Sequence, residues 1–152
     1  MDQPTTFTEI ETSFHSMPLT KYVIAQELEQ EWLKTAVADY ELELSCDLEY
    51  DSIIQEFRKR LDRSTVRVLA LMMYVSYLQR ELSRVMALNG IYGKDIQITG
   101  GDATKRVTKQ ELEHEISRVN QMLHKMKTHC FECRKRYKAA GCQEERRLQS
   151  SA

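Results

Sequence analysis

Apolar residues are densest in the middle of the chain, between Asp62 and Gly90. From Val68 to Val75, every side chain is apolar except for the hydroxyl of Tyr74. Four further apolar residues continue this stripe at helical spacing: Leu78, Leu82, Val85 and Met86. The pattern predicts one long helix, buried on most sides at first and on one face later. Because the apolar run is well short of the roughly 20 residues that a membrane span needs, we interpret it as a core helix.

Both ends of this central helix carry residues that favour helix termini. Asp62 or Ser64 can accept hydrogen bonds from the free N–H groups of the first turn. Asn89 and Gly90 tolerate the left-handed backbone conformation that commonly ends a helix. The sequence therefore predicts where this helix begins and ends.

A second long helix is predicted after a segment that contains glycines. Residues Ile91 to Val107 include Gly93, Gly100 and Gly101, and we expect a loop or a short extended arm that can reach a neighbouring subunit. The sequence Thr108-Lys109-Gln110-Glu111 is a capping box, which predicts a helix start. Apolar residues then alternate in steps of four and three, which predicts a helical hairpin with the central helix: Leu112, Ile116, Val119, Leu123 and Met126.

The N-terminal part of the chain is less regular. Residues 1–18 contain both prolines and several Thr, Ser and Glu residues, which indicates a flexible arm that orders on a partner. A first helix is expected from an N-cap at Thr20 to near Ser45. Asp51 or Ser52 is then expected to cap a short second helix that carries four apolar residues: Ile53, Ile54, Phe57 and Leu61.

Together these patterns predict an all-α fold of one domain. We expect a helical bundle built on a long helical hairpin, with a glycine-containing loop or short hairpin arm between the two long helices and with flexible termini. The predicted organisation is an N-terminal arm over residues 1–18, a helical bundle over residues 19–131 and a basic C-terminal arm over residues 132–152.

Charge is distributed unevenly along the chain. Residues 1–57 hold 13 acidic and 2 basic side chains, a net charge of −11, whereas residues 58–152 hold 10 acidic and 20 basic ones, a net charge of +10. Either the two parts fold against each other or copies of the chain meet acidic face to basic face. A third interpretation is that these charges are solvated faces on different helices.

Candidate chemistry is sparse. The sequence contains no recognisable catalytic motif, so we do not expect an enzyme or a bound cofactor. The start of the chain lacks a secretion signal, and the four cysteines are therefore expected to be thiols. Soft ligands for zinc are nevertheless grouped near the C-terminus, with free thiols as the alternative: His129, Cys130, Cys133 and Cys142.

Three stretches of the sequence resemble a known family. They are YLQRELSR in the central helix, the loop GKDI followed by GGDATK, and LHKMKTHCF near residue 131. In this order, after an acidic N-terminal helix, they resemble the small all-helical head–tail connector proteins of tailed bacteriophages, also called adaptor or neck proteins. The resemblance covers roughly residues 20–131, and the cysteine-containing basic segment after Phe131 departs from the family pattern.

The resemblance implies a structural protein of the virion, present in the host cytoplasm during assembly. It implies a homo-oligomeric ring docked on the portal protein, joined to the next neck or tail-completion protein, with double-stranded DNA passing through the channel and no membrane partner. The alternative is a small helical nucleic-acid-binding protein, such as a packaging or regulatory factor, for which the basic residues of segments 58–67 and 134–147 argue. A zinc-stabilised regulatory domain is a third hypothesis. Partner contacts are expected in the glycine loop and the C-terminal arm: Gly93, Lys94, Asp95, Gly100, Gly101, Lys105, Arg134, Lys135, Arg136, Tyr137, Lys138, Arg146, Arg147 and Leu148.

Overall fold

The computed structural model describes the backbone of residues 3–19, 23–91 and 101–149, and the side chains of residues 3–19, 23–87 and 105–129. The described chain is helical apart from one short β-hairpin, which confirms the predicted all-α class. In chain order the elements are α1 (Phe7–His15), α2 (Gln26–Leu44), β1 (Tyr50–Asp51), β2 (Glu56–Phe57), α3 (Arg63–Ile91) and α4 (Gly101–Gln149).

Helix α3 is the centre of the fold, as its apolar sequence predicts. It packs against α4, α1 and α2, so three helices cover it. Its buried side chains fill the core between them: Val68, Leu69, Ala70, Leu71, Met73, Tyr74, Tyr77 and Leu78. The predicted hairpin of α3 and α4 is therefore confirmed.

The apolar seam of α4 is confirmed with one exception. Leu112, Val119 and Leu123 are buried and Met126 is partly buried against the core. Ile116 is 36% exposed and lies at the edge of the interface. Alternate steps of three and four residues drift around a helix, so not every position of such a seam faces the partner equally.

Two tyrosine hydroxyls connect α3 and α4 to the rest of the bundle. The hydroxyl of Tyr40 on α2 lies 3.1 Å from Oγ1 of Thr65 and donates to Sδ of Met126 at 3.7 Å. The hydroxyl of Tyr74 lies 2.7 Å from Oε1 of Glu111 and 3.0 Å from the carbonyl oxygen of Pro18. These contacts place the beginning of α3 beside Met126 of α4, which fixes the register of the hairpin.

The N-terminal segment corrects the prediction of a flexible arm over residues 1–18. Helix α1 is part of the bundle, with Phe7, Ile10 and Phe14 buried, and Met17 is buried just after it. These residues follow one another at intervals of three, four and three, so they form a stripe on one face of a helix. The stripe packs against α3, which supplies the apolar surface that the segment itself lacks.

Helix α2 is shorter at its start than predicted. It begins at Gln26, after Ala25 as N-cap with no side-chain cap, and the predicted N-cap Thr20 lies outside the described residues. It ends at Leu44, with Ser45 in the left-handed conformation at φ 50°, which confirms the predicted end.

The predicted short helix over Ile53 to Leu61 is wrong, because this part of the chain forms the β1–β2 hairpin. Tyr50 pairs with Phe57 and Asp51 pairs with Glu56. Glu49 and Gln55 have positive φ values of 56° and 58°, which a right-handed helix does not permit. The carboxylate of Asp51 accepts backbone N–H groups in the turn rather than capping a helix.

The N-terminal residues are hydrogen-bonded to this hairpin. The N–H of Phe7 donates to the carbonyl of Gln55, and the N–H of Phe57 donates to the carbonyl of Thr5, both at 2.9 Å. The hydroxyl oxygen of buried Thr5 accepts the N–H of Leu61 at 2.9 Å. Thr5 to Phe7 therefore lies beside β2, and this long-range pairing holds α1 at the start of α3.

The start of α4 also corrects a prediction. The helix begins at Gly101, so Thr108 lies inside it and the sequence Thr108 to Glu111 does not mark its N-terminus. Because Asp102 to Val107 contains no residue that breaks a helix, the helix extends back to the glycine pair. The predicted basic C-terminal arm over residues 132–152 is helical as far as Gln149, as a continuation of α4.

The N-cap of α3 is confirmed as Asp62. Its carboxylate accepts hydrogen bonds from the hydroxyls of Ser64 and Thr65, and its carbonyl accepts the N–H of Val66. Burial raises the pKa of the Asp62 carboxyl, but the hydrogen bonds from Ser64 and Thr65 outweigh this and hold the pKa below its usual value. The ionised form of Asp62 is thus favoured in the folded protein.

We expect Asp62→Ala to lower the free energy of unfolding by about 0.5–2 kcal/mol at neutral pH, as loss of an N-cap usually does. A carboxyl whose pKa is depressed by folding stabilises the protein above its unfolded pKa, and this stabilisation is lost as the pH falls through the folded pKa. The difference between variant and wild type should therefore shrink on acidification. Urea unfolding across acidic pH checks this, with Asp39→Ala, an exposed change on α2, as the control. A difference that is unchanged at low pH would contradict it.

Candidate functional site

The predicted partner-binding residues divide between described and undescribed parts of the chain. Gly93, Lys94, Asp95 and Gly100 lie outside the described residues. Gly101 is the first residue of α4, and Lys105, half-buried, lies one turn later. The glycine-loop candidates that can be placed are therefore at the N-terminal end of α4. The remaining candidates lie on the backbone of its last five turns: Arg134, Lys135, Arg136, Tyr137, Lys138, Arg146, Arg147 and Leu148.

Helix α4 is much longer than the helix it pairs with. It contains 49 residues, whereas α3 contains 29. Since Thr65, at the beginning of α3, lies beside Met126 through Tyr40, α3 has no residues left to pair with the end of α4. Residues 130–149 of α4 therefore amount to about 30 Å of helix beyond the hairpin, at 1.5 Å per residue.

The acidic and basic parts of the chain are joined by ion pairs within the subunit. Both guanidinium nitrogens of Arg60 contact the carboxylate of Glu9, at 2.6 and 2.8 Å. Lys59 lies 3.7 Å from Glu49, and Lys127 lies 3.2 Å from Glu43. These ion pairs join the acidic part of the chain to the basic part. They agree with the first interpretation of the charge asymmetry, that the two parts fold against each other.

An apolar groove lies between the start of α2 and the middle of α3. It has a volume of about 270 Å³, and its walls include Ile24, Leu28, Trp32 and Tyr77. Arg80, Glu81 and Arg84 line its outer side. The rings of Trp32 and Tyr77 meet edge to face, with their centroids 6.3 Å apart. This groove was not predicted from the sequence, because its walls come from segments 50 residues apart.

A compact polar cluster joins α1 to α2. It consists of Glu11 and His15, one turn apart on α1, and Glu29 on α2. One nitrogen or oxygen atom from each side chain lies within 4.8 Å of the others. Nε2 of His15 is 3.0 Å from Oε1 of Glu29. The cluster therefore brings an imidazole and two carboxylates, all metal-ligand types, to one point between two helices.

The burial of Glu29 distinguishes this cluster from an ordinary surface ion pair. The Glu29 side chain is 3% exposed, and its Oε1 accepts no hydrogen bond from the described residues. The 3.0 Å contact between Nε2 of His15 and Oε1 of Glu29 is an ion pair when the imidazole is protonated. Burial raises the pKa of the Glu29 carboxyl, the contact with His15 opposes this, and the nearby Glu11 adds to it.

This cluster was not predicted from the sequence. The spacing of Glu11 and His15, four residues apart, is the signal that could have indicated a shared helix face. Glu29 could not be added from sequence, because its burial against α1 depends on the tertiary packing.

The zinc candidates near the C-terminus remain a prediction. His129 is exposed, and the side chains of Cys130, Cys133 and Cys142 lie outside the described residues. Cys46 is an exposed thiol.

No family model, curated protein or solved structure matches this chain. Among the described residues, no helix has an apolar stretch long enough to cross a bilayer.

Proposed function

We propose that this protein is a structural subunit of a tailed-phage virion, a head–tail connector that forms a ring docked on the portal and links capsid to tail. In this role it contacts portal protein, further copies of itself and the next neck or tail-completion protein, while double-stranded DNA passes through the channel. The proposal starts from the sequence resemblance in the central helix, the glycine loop and the end of the apolar seam of α4. It requires a subunit that carries a docking element outside its own core.

The observation that carries the proposal is the extension of α4 beyond the hairpin. This segment of about 30 Å runs past the point where α3 begins, and it is the part of the chain that we propose contacts another chain. Residues 130–149 contain six basic and three acidic side chains. Such a net positive segment complements an acidic protein surface or DNA phosphates.

Removal of this extension tests the proposal. We expect a chain truncated after Glu132 to keep its melting temperature within a few degrees, because every described core residue lies before that point. Its attachment to portal-bearing heads should be lost, since the docking element is missing. Thermal unfolding and co-sedimentation with heads measure the two effects.

A charge variant refines the same experiment. Replacing Arg134, Lys135 and Arg136 with glutamine should weaken attachment, whereas Lys125→Gln, an exposed change on the described part of α4, should not. Normal attachment of the truncated protein would contradict the proposed docking element. Native mass spectrometry with and without portal protein then tests the ring.

The alternative function is nucleic-acid binding, as a packaging or regulatory factor. Arg58 and Arg63 are exposed near the start of α3, which favours it. Against it, Lys59 and Arg60 in the same cluster are engaged by Glu49 and Glu9. Retention of the isolated protein on DNA, falling steeply with added salt, would favour the alternative because phosphate contacts release counterions.

A further inference from the structure

We propose that Glu11, His15 and Glu29 form a binding site for a divalent transition-metal ion, for which Zn²⁺ is the best match. One imidazole and two carboxylates from two helices converge there, with one ligand-type atom of each within 4.8 Å of the others. Imidazole ligands favour zinc and its neighbours in the transition series over Mg²⁺ and Ca²⁺, which prefer oxygen-only sites. This inference does not depend on the proposed connector function.

The distances suit such an ion. Zn²⁺ binds nitrogen and oxygen ligands at about 2.0–2.2 Å, so the ligand atoms of a tetrahedral site lie about 3.3 Å apart. The 3.0 Å separation of His15 Nε2 and Glu29 Oε1 is already close to this value. Glu11 is half-buried, and one of its carboxylate oxygens lies within 4.8 Å of the other two ligand atoms.

The burial of the Glu29 carboxylate is a second reason to place a cation here. A buried carboxylate oxygen without a hydrogen bond is costly, and native proteins rarely keep one without a partner. Oε1 of Glu29 belongs to a side chain that is 3% exposed, and it forms no hydrogen bond with the described residues although Nε2 of His15 lies 3.0 Å away. A bound cation would offset the charge that Glu29 and Glu11 bring together.

Access to the site is on the side of His15. Its side chain is 49% exposed, so an ion can enter from solvent and water can complete the coordination. A bound ion would cross-link α1 and α2. The site is therefore expected to stabilise the attachment of the N-terminal helix rather than the α3–α4 hairpin.

Titration of the metal-free full-length protein with Co²⁺ tests the proposal. We expect one equivalent of Co²⁺ to bind with visible d–d absorption and without thiolate-to-cobalt charge-transfer bands, since the ligands are nitrogen and oxygen. Glu29→Gln and His15→Gln should each weaken this binding at least about tenfold, because each removes a direct ligand. Zn²⁺ should displace the Co²⁺, and Ca²⁺ should not.

Two matched variants serve as controls. Glu31→Gln changes an exposed glutamate on the same helix, and His124→Gln changes an exposed histidine on α4; both should bind Co²⁺ like wild type. Circular dichroism checks that Glu29→Gln is folded. If it is not, Co²⁺ binding by His15→Gln tests the proposal, because the His15 side chain is exposed. Co²⁺ binding that shows only thiolate bands, or that is the same in His15→Gln and wild type, would overturn the proposal.

Discussion

Phe14→Ala is expected to lower the free energy of unfolding by about 3–5 kcal/mol, the usual effect of removing a buried aromatic ring. Phe14 is 0% exposed, and its ring meets those of Trp32 and Tyr77 edge to face at centroid distances of 6.1 and 6.4 Å. Its loss leaves a cavity where α1, α2 and α3 meet. The shift of the urea unfolding midpoint at constant slope measures the effect.

A substitution on the opposite side of α1 is the control. Thr8→Ala alters an exposed side chain of the same helix and should change stability by less than about 0.5 kcal/mol. Should Phe14→Ala behave like Thr8→Ala, α1 would not be part of the cooperative core, and the flexible arm predicted from the sequence would be the better description.

Leu71→Ala is expected to lower the free energy of unfolding by about 2–5 kcal/mol. Leu71 is 1% exposed near the middle of α3, which is covered by three helices, so the surrounding side chains have little freedom to fill the cavity. Leu78 lies about two turns further along the same side of α3. It is 3% exposed, and its replacement with alanine should have a similar effect. Equilibrium unfolding in urea measures both.

Gln79→Ala provides the comparison for the central helix. Gln79 is exposed on α3 and next to Leu78, so its replacement tests the helix without opening the core. A change within about 0.5 kcal/mol is expected. Equal effects of Leu71→Ala and Gln79→Ala would contradict the placement of α3 at the centre of the fold.

The elements that the sequence predicted correctly are those with a long, continuous pattern of apolar residues within one helix. The apolar run from Val68 to Val75 requires burial on most sides, and α3 receives it. The seam from Leu112 to Met126 indicates one partner helix, and α3 is that partner. Asp62 caps α3 because a carboxylate at that position can accept hydrogen bonds from the first turn whatever surrounds it.

The parts that were predicted wrongly depend on contacts distant in sequence. Ile53 and Ile54 were counted toward a helix face, yet they are 89% and 61% exposed in the turn of the hairpin. The hairpin is held by Tyr50 and Phe57, whose rings lie 4.7 Å apart, and by its pairing with the N-terminal residues. The pattern of residues 50–61 alone cannot predict this pairing, because the N-terminal residues lie about 50 positions earlier in the chain.

The candidate metal site shows the same division. The spacing of Glu11 and His15 can be read from the sequence once α1 is recognised as a helix. The burial of Glu29 cannot, because an acidic residue in the first turn of α2 is usual and is normally solvated. The Glu29 carboxylate is recognised as part of a cluster only once α1 is seen to pack against it.

The hydrogen bonds between Thr5–Phe7 and residues 55–61 have a consequence for the order in which the protein is made. Helix α1 leaves the ribosome before its partners in β2 and α3, which are synthesised more than 40 residues later. Until they emerge, Phe7, Ile10 and Phe14 lack the surfaces of β2 and α3 that bury them in the folded protein. Helix α1 thus reaches its native place only after α3 is made, and the nascent chain carries a partly uncovered apolar stripe in the meantime.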